Sequence, residues 1–261
     1  MNDHREILIF ENGDELSDFA LEKWREISGK AIKDRESFAV ALSGGKTPVG
    51  FYRKLAGLQD DLSWNKTDVF LVDERFVPFD SDESNYGMIK DKLLNRVRIP
   101  AGKVHPVSTG EDSLQAAAKK YEGDLKEFFK LNVGEFPEFD LIMLGIGEDG
   151  HTASLFPGTS SLTENERLAI AVDLNKLKNK RISLTLPVIN NAKNIIFLIS
   201  GHNKAKALRE ILEGKEKLLP ASRVKPGKGR VFFLLDKSAG AYLSHLIKVS
   251  HCLEGGLSRA K

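Results

Sequence analysis

Residues 38–50 read FAVALSGGKTPVG: five apolar residues, a Ser-Gly-Gly turn, and a proline that opens a helix-like stretch. An unbroken apolar run is typical of a strand buried on both faces, and proline suits the first turn of a helix. Similar runs recur, with helix-length segments between many of them. This alternation predicts an α/β fold, a largely parallel sheet flanked by helices, in a single domain over residues 1–261. The predicted strands cover 38–42, 69–72, 139–144, 168–172, 182–186, 195–199 and 231–235, and the predicted helices include 114–131 and 204–212.

Composition excludes several classes of protein. The chain has 39 Lys and Arg against 37 Asp and Glu, and these charges are dispersed, so we expect no nucleic-acid partner. Its 41% hydrophobic content suits a globular protein. The apolar runs are far shorter than the ~20 residues that span a bilayer, so we expect no membrane partner. A lone cysteine, Cys252, and no secretory signal pattern favour the cytoplasm. Composition leaves the oligomeric state open.

The loop after the first predicted strand is a candidate anion site. In parallel α/β sheets, ligands bind at the carboxyl ends of the strands, where residues 43–48 (SGGKTP) lie. Two glycines let the backbone approach a ligand, and free N–H groups at a helix start favour phosphate. A capped strand-to-helix turn would account for the loop equally well. A nucleotide-binding P-loop would need glycine where Val40 stands, which disfavours an ATPase.

Charged residues follow the second predicted strand as Asp73-Glu74-Arg75. A solvated ion-pair cluster would explain this composition, and exposed pairs contribute little to stability. Their position at a strand end makes them candidates for the same site, but the spacing does not choose between roles.

The third loop, at residues 145–152, reads GIGEDGHT and follows the run FDLIML. It contains the pattern G-x-G-x-x-G, and Asp173 lies 23 residues after Gly150, as in dinucleotide-binding proteins. Pro157 and Gly158 leave little room for the helix that a dinucleotide fold requires, so that interpretation stays a minor alternative.

His151 is the histidine that we single out as a candidate general base, because it sits in this glycine-rich loop beside acids. Imidazole titrates near neutral pH and transfers protons readily, although a capping or packing role is the alternative.

Two cations are also candidates for binding phosphate. Arg181 opens the run ISLTL and Lys204 begins a helical segment, where each could bind phosphate or simply be solvated.

The ordered set SGGKTP, VDERFVP, GIGEDGHTASLFPG, RISLTLP and SGHNKAKAL resembles the 6-phosphogluconolactonase family, within the superfamily of sugar-phosphate isomerases, deaminases and lactonases. The resemblance extends to the segment VFFLLDKSAGAYL and so covers essentially the whole chain. It implies a modified Rossmann-like fold of the sugar-phosphate isomerase/deaminase type. It also implies hydrolysis of 6-phosphoglucono-1,5-lactone to 6-phosphogluconate in the oxidative pentose phosphate pathway, with no metal and no organic cofactor.

The resemblance also implies roles for individual residues. His151 looks like the base that activates water, Asp149 like its orienter, and Arg75 like the group that stabilises developing negative charge. Asp73 matches the family, but its role stays undefined. The residues suited to binding the substrate and its phosphate are Ser43, Gly44, Gly45, Thr47, Arg181 and Lys204.

Two other functions remain as alternatives. Glucosamine-6-phosphate deaminases resemble this chain, but their pattern Asp-Gly-His-Ile-Gly-Phe-Asn-Glu has an acid five residues beyond the histidine, where Phe156 stands here. A noncatalytic sugar-phosphate sensor could use the same fold. No DNA-binding segment is visible, and binding alone would not need His151 beside Asp149.

Overall fold

The structure is a computed structural model that describes residues 5–58, 62–175, 177–214, 218–244 and 250–251, so Cys252 lies outside the described residues. Strands and helices alternate along most of the chain. The strands are β1 (Arg5–Phe10), β2 (Phe38–Leu42), β3 (Thr67–Leu71), β4 (Asp73–Arg75), β5 (Val104–His105), β6 (Leu141–Leu144), β7 (Ala169–Val172), β8 (Arg181–Leu184), β9 (Asn194–Ile199), β10 (Arg230–Asp236) and β11 (Ser250–His251). The α-helices are α1 (Gly13–Arg35), α2 (Pro48–Ala56), α3 (Asn85–Lys92), α4 (Leu114–Phe129), α5 (Leu186–Asn190) and α6 (Ala205–Glu213). Short 3₁₀ helices cover Trp64–Lys66, Leu94–Arg96, Ala101–Lys103, Ser160–Leu162, His202–Lys204 and Pro220–Arg223.

Within the described residues, eight strands form one parallel sheet in the order β11-β1-β10-β9-β6-β2-β3-β5. Every residue of β2 is buried, as an unbroken apolar run predicts for a central parallel strand. On one face, Trp24 of α1 packs edge-on against Phe38 with ring centroids 5.1 Å apart. The predicted α/β class and largely parallel sheet are confirmed. None of the helices in the described ranges is long and apolar enough to cross a bilayer.

A second, antiparallel sheet of three strands has the order β4-β8-β7. Val72 joins the two sheets, because its N–H donates to Leu42 O and its carbonyl accepts from Leu184 N, each at 2.9 Å. The predicted strand at 182–186 ends early, because Leu186 begins α5 with Pro187 in the first helical turn. The antiparallel register places Arg75 directly opposite Arg181.

Candidate active site

Three neighbouring strands of the parallel sheet, β9, β6 and β2, end at the same edge, and the loops that follow them meet there. The small sheet contributes further residues to the resulting cavity, which has a volume of about 390 Å³. Nine of the ten site residues predicted from sequence line it: Ser43, Gly44, Gly45, Thr47, Asp73, Arg75, His151, Arg181 and Lys204. Asp149, the tenth, contacts the site through His151.

The loop after β2 has a fixed backbone and unused donors. Ser43 is held from both sides: its hydroxyl donates to Met143 O, and its carbonyl accepts from the buried Tyr52 hydroxyl at 2.7 Å. A Cβ on Gly44 would lie 1.8 Å from Asn85 Oδ1, so a side chain there would displace the buried Asn85 amide. The N–H groups of residues 44–47 donate to no acceptor in the described part of the chain, and the Thr47 side chain makes no capping hydrogen bond. The loop therefore presents free donors where α2 begins.

The loop after β6 joins His151 to Asp149. Asp149 Oδ1 lies 2.5 Å from His151 Nδ1 and also accepts from the His151 backbone N–H at 3.2 Å. An ionised carboxylate only accepts hydrogen bonds, so Nδ1 carries the proton and Nε2 bears the lone pair in the neutral ring. A Cβ on Gly147 would lie 2.1 Å from His151 Nδ1, so a side chain there would displace this pair.

The imidazole of His151 also contacts an aromatic ring. The centroid of the Phe156 ring lies 4.5 Å from that of the imidazole, with the planes inclined at 39°. The His151 side chain is 29% exposed, so it is partly open to solvent while fixed at Nδ1 and packed on a phenyl ring.

Two arginines and an aspartate come from the small sheet. Arg75 Nη1 donates to Glu83 O at 2.6 Å, and Arg181 Nη1 lies 4.0 Å from Asp73 Oδ2. In the described structure the buried Nε atoms of both arginines lack a hydrogen-bond partner. Burial lowers the pKa of Arg181, nearby Asp73 opposes that change, and the positive charge of Arg75 adds to it. Two guanidinium groups with unused donors thus lie beside the cavity.

Asp73 is held inside this cluster by neutral donors. Its Oδ2 accepts from the buried Ser154 hydroxyl at 2.6 Å, and Asn85 Nδ2 donates to its backbone carbonyl at 2.8 Å. Arg181 Nη1 approaches the same Ser154 oxygen at 3.5 Å. Asp73 therefore touches the cavity while fixing the residues around it.

Glu74, between Asp73 and Arg75 in the sequence, has a structural role. It is fully buried and accepts the backbone N–H groups of Arg75, Asn85 and Tyr86, each at 2.7 Å, and the Ser84 hydroxyl at 3.1 Å. Burial raises its pKa, although these N–H groups oppose the change. Glu74 thus ties β4 to the start of α3, which places Asn85 against the cavity.

Lys204 comes from the turn after β9. Asp236, at the end of β10, accepts the Ser200 hydroxyl and the Gly201 N–H, and Lys204 N donates to Gly201 O at 3.0 Å. Neighbouring Asn203 donates to Glu148 Oε1 at 2.7 Å, which links this turn to the loop that carries His151.

Sequence reasoning missed several residues that line the cavity or support it. Asn85 lies 12 residues beyond Asp73 and belongs to no recognised motif. Ser154 does not line the cavity but supports it by donating to Asp73. Lys46, within the glycine loop at 43–48, also lines the cavity. Among the described residues, no cluster of three or more His, Cys, Asp or Glu side chains could hold a metal ion. The lining residues beyond the predicted set are Lys46, Pro48, Asn85, Gly145, Ile146, Ala153, Ser200 and Asn203.

Comparison with known proteins identifies the family. Residues 11–233 match the family model described as glucosamine-6-phosphate isomerases/6-phosphogluconolactonase. The chain belongs to this family. A Synechocystis relative named 6-phosphogluconolactonase is 43% identical over 216 residues, which cover 82% of this chain and 88% of the relative. A rice (Oryza sativa subsp. indica) relative named probable 6-phosphogluconolactonase 4, chloroplastic, is 36% identical over 252 residues, which cover 92% of this chain and 77% of the relative.

Solved structures of family members share the fold described above. A 6-phosphogluconolactonase from Trypanosoma cruzi superposes with a TM-score of 0.83 at 30% identity, covering 94% of this chain and 98% of its own. A monomeric glucosamine-6-phosphate deaminase superposes with a TM-score of 0.75 at 25% identity, covering 90% of this chain and 99% of its own. Lactonases and deaminases therefore share this fold, and the reaction depends on the residues in the cavity.

Proposed function

We propose that this protein hydrolyses 6-phosphoglucono-1,5-lactone to 6-phosphogluconate in the oxidative pentose phosphate pathway. The observation that carries the proposal is the His151–Asp149 pair, because the His151 side chain lines a cavity that is also lined by Arg75, Arg181 and Lys204. A general base beside a cluster of cations suits water attack on the uncharged carbonyl group of a phosphorylated compound. The lactonase names of the relatives agree with this chemistry.

In the proposed mechanism, His151 Nε2 accepts a proton from water as the water oxygen forms a bond to the lactone carbonyl carbon. The carbonyl oxygen becomes an oxyanion, and Asp149 stabilises the imidazolium that results. Collapse of the tetrahedral intermediate breaks the bond between that carbon and the ring oxygen. The ring oxygen leaves with the proton from His151, and the new carboxylic acid ionises.

The cations divide between the reacting carbonyl and the phosphate. Arg75 stabilises the oxyanion, while the N–H groups of residues 44–47, the Thr47 hydroxyl, Arg181 and Lys204 hold the phosphate. Asp73 orients Arg181, partly through Ser154, rather than transferring a proton to substrate. No covalent nucleophile is required, because lactones already hydrolyse in water and the enzyme needs only moderate acceleration.

Glucosamine-6-phosphate deamination is the second candidate, favoured by the structural similarity to the monomeric deaminase. The side chain packed on His151 argues against it, because Phe156 occupies the place of the acid in the deaminase pattern. A phenyl ring cannot exchange a proton with the imidazole during ring opening.

The decisive experiment supplies freshly generated 6-phosphogluconolactone and measures acid release above the spontaneous rate, with glucosamine-6-phosphate assayed in parallel. We expect lactone turnover and no ammonia release. Ammonia release without lactone turnover would replace the proposal by the deaminase, and binding of sugar phosphates without either turnover would indicate a sensor.

We further propose that residues 1–261 act as one catalytic domain, because both sheets contribute to the same cavity. We also propose a cytoplasmic location and no nucleic-acid or membrane partner. The single cysteine and dispersed charge support these proposals.

A further inference from the structure

Phe156 contacts both the candidate base of the site, His151, and one of its cations, Arg181. Its side chain is 3% exposed, its ring packs on the His151 imidazole with centroids 4.5 Å apart, and the guanidinium carbon of Arg181 lies 5.6 Å from its centroid. Thr159 fixes its backbone by donating to the Phe156 carbonyl at 2.8 Å. One buried phenyl ring therefore contacts a group that gains charge during the reaction and a group that is always charged.

The electronic character of this ring matters because the faces of a phenyl ring carry partial negative charge. A cation within about 6 Å of the face is attracted to it, more strongly when water is excluded. A neutral imidazole gains little from this attraction. The imidazolium that forms as water loses its proton gains more, so the ring stabilises the transition state over the ground state.

We propose that Phe156 is a positioning residue that holds the His151 imidazole and stabilises its charged form through the face of the phenyl ring, while supporting Arg181 in the substrate-bound cavity. This inference rests on the proposed function of His151 as the base. The two contacts have separate kinetic consequences. The contact with His151 changes in strength during turnover and affects kcat. The contact with Arg181 positions a permanent cation that binds substrate and transition state equally, so it affects KM.

The test alters the charge distribution of the ring and leaves its shape nearly unchanged. Phenylalanine with one, two or three ring fluorines is incorporated at position 156, because each fluorine weakens the negative potential of the ring face. We expect kcat to fall stepwise, by roughly 3- to 10-fold from phenylalanine to the trifluoro form. The midpoint of the His151 imidazole titration, followed by NMR, should move to lower pH in the same order. The charged side chains around the imidazole are identical in every variant; they are Asp149, which pairs with it, and the cavity-lining Lys46, Asp73, Arg75, Arg181 and Lys204.

The matched control places the same fluorinated residues at Phe197, which is fully buried on β9 and stacks on Phe233 at 4.7 Å. Fluorination there should leave kcat and the titration midpoint unchanged. A flat kcat series at position 156, or an equal fall at position 197, would reduce Phe156 to packing and overturn the inference.

Activity and titration separate this inference from the proposed function. If the wild-type protein does not hydrolyse the lactone, the proposed function fails, and the titration series still reports whether the ring stabilises the imidazolium. If hydrolysis is present and both series are flat, only the role of Phe156 fails. Phe156→Tyr, which keeps the aromatic face, should retain more kcat than Phe156→Leu, which removes it; equal losses in the two would also count against the inference.

Discussion

Replacing Asp149 by alanine tests whether its contact with His151 supports the activation of water. Asp149 Oδ1 contacts both His151 Nδ1 at 2.5 Å and the His151 backbone N–H at 3.2 Å, so one carboxylate fixes the tautomer, the ring and the adjacent backbone. In Asp149→Ala the ring can rotate, either nitrogen can carry the proton, and the imidazolium loses its counter-charge. The rate of water activation should therefore fall while the phosphate contacts remain.

The magnitude follows from the strength of one charge-assisted hydrogen bond. Hydrogen bonds to charged groups contribute about 1.5–3 kcal/mol. The lower part of that range applies because the side chain of Asp149 is 43% exposed and that of His151 is 29% exposed. About 1.4 kcal/mol corresponds to a factor of ten in rate, so we expect kcat to fall roughly 10- to 30-fold with KM changed less than about threefold. Asp149→Asn keeps an oxygen for Nδ1–H but no charge, so its loss should be smaller, roughly 3- to 10-fold.

The assay measures acid release from freshly generated lactone at constant pH, with the spontaneous rate subtracted, and circular dichroism checks folding. His151→Ala sets the floor of activity. Asp34→Ala removes an exposed carboxylate that pairs with Lys30 at 2.9 Å on α1, and it should behave as wild type. Wild-type kcat in Asp149→Ala, together with a large loss in His151→Ala, would refute the assigned orienting role.

Three further changes address other parts of the structure. Gly147→Ala places a Cβ 2.1 Å from His151 Nδ1, so kcat should fall at least as far as in Asp149→Ala; unchanged kcat would contradict the loop geometry. Arg181→Ala should raise KM roughly 10- to 100-fold with kcat nearly preserved, and an unchanged KM would remove Arg181 from the phosphate contacts. Burial would raise the pKa of Asp236, but hydrogen bonds from Ser200 and nearby N–H groups outweigh burial and lower it. Its stabilising contribution is therefore present above the unfolded-state value near pH 4 and lost as pH falls through the lower folded-state value. Urea midpoints compared between pH 7 and pH 3.5 should change less in Asp236→Asn than in wild type, and an equal change would count against this origin of acid sensitivity.

Hydrophobic patterning predicted the parallel sheet well because its central strands are buried on both faces. Phe38–Leu42 matches the predicted strand at both ends. Hydrophobic patterning did not predict a strand that is only half buried, nor which of the two sheets a strand joins. Arg5–Phe10 carries charged residues among apolar ones and was not predicted. The apolar run at 182–186 gave no sign that it joins a separate antiparallel sheet or that Pro187 turns its end into a helix.

The site was predictable where it follows the carboxyl ends of strands, since topology brings those loops together whatever their distance along the chain. The contact between Asp149 and His151 was left open by the sequence, because two residues in a glycine-rich loop can point in many directions. The structure shows the contact directly. Asn85 could not be found from a pattern, because it reaches the cavity through the capping of α3 by buried Glu74, a tertiary effect with no local signature.

The cavity has a local excess of positive charge that the net value of +2 conceals. Four cationic side chains, from Lys46, Arg75, Arg181 and Lys204, line the cavity, whereas Asp73 is the one carboxylate among its lining residues in the described structure. The β4–β8 register places Arg75 opposite Arg181, and two like charges in a partly buried space repel each other. A ligand with a phosphate and a carboxylate, bound in the cavity, would offset these positive charges. The folded state should therefore gain stability on binding 6-phosphogluconate, because a ligand that binds only the folded form shifts the unfolding equilibrium.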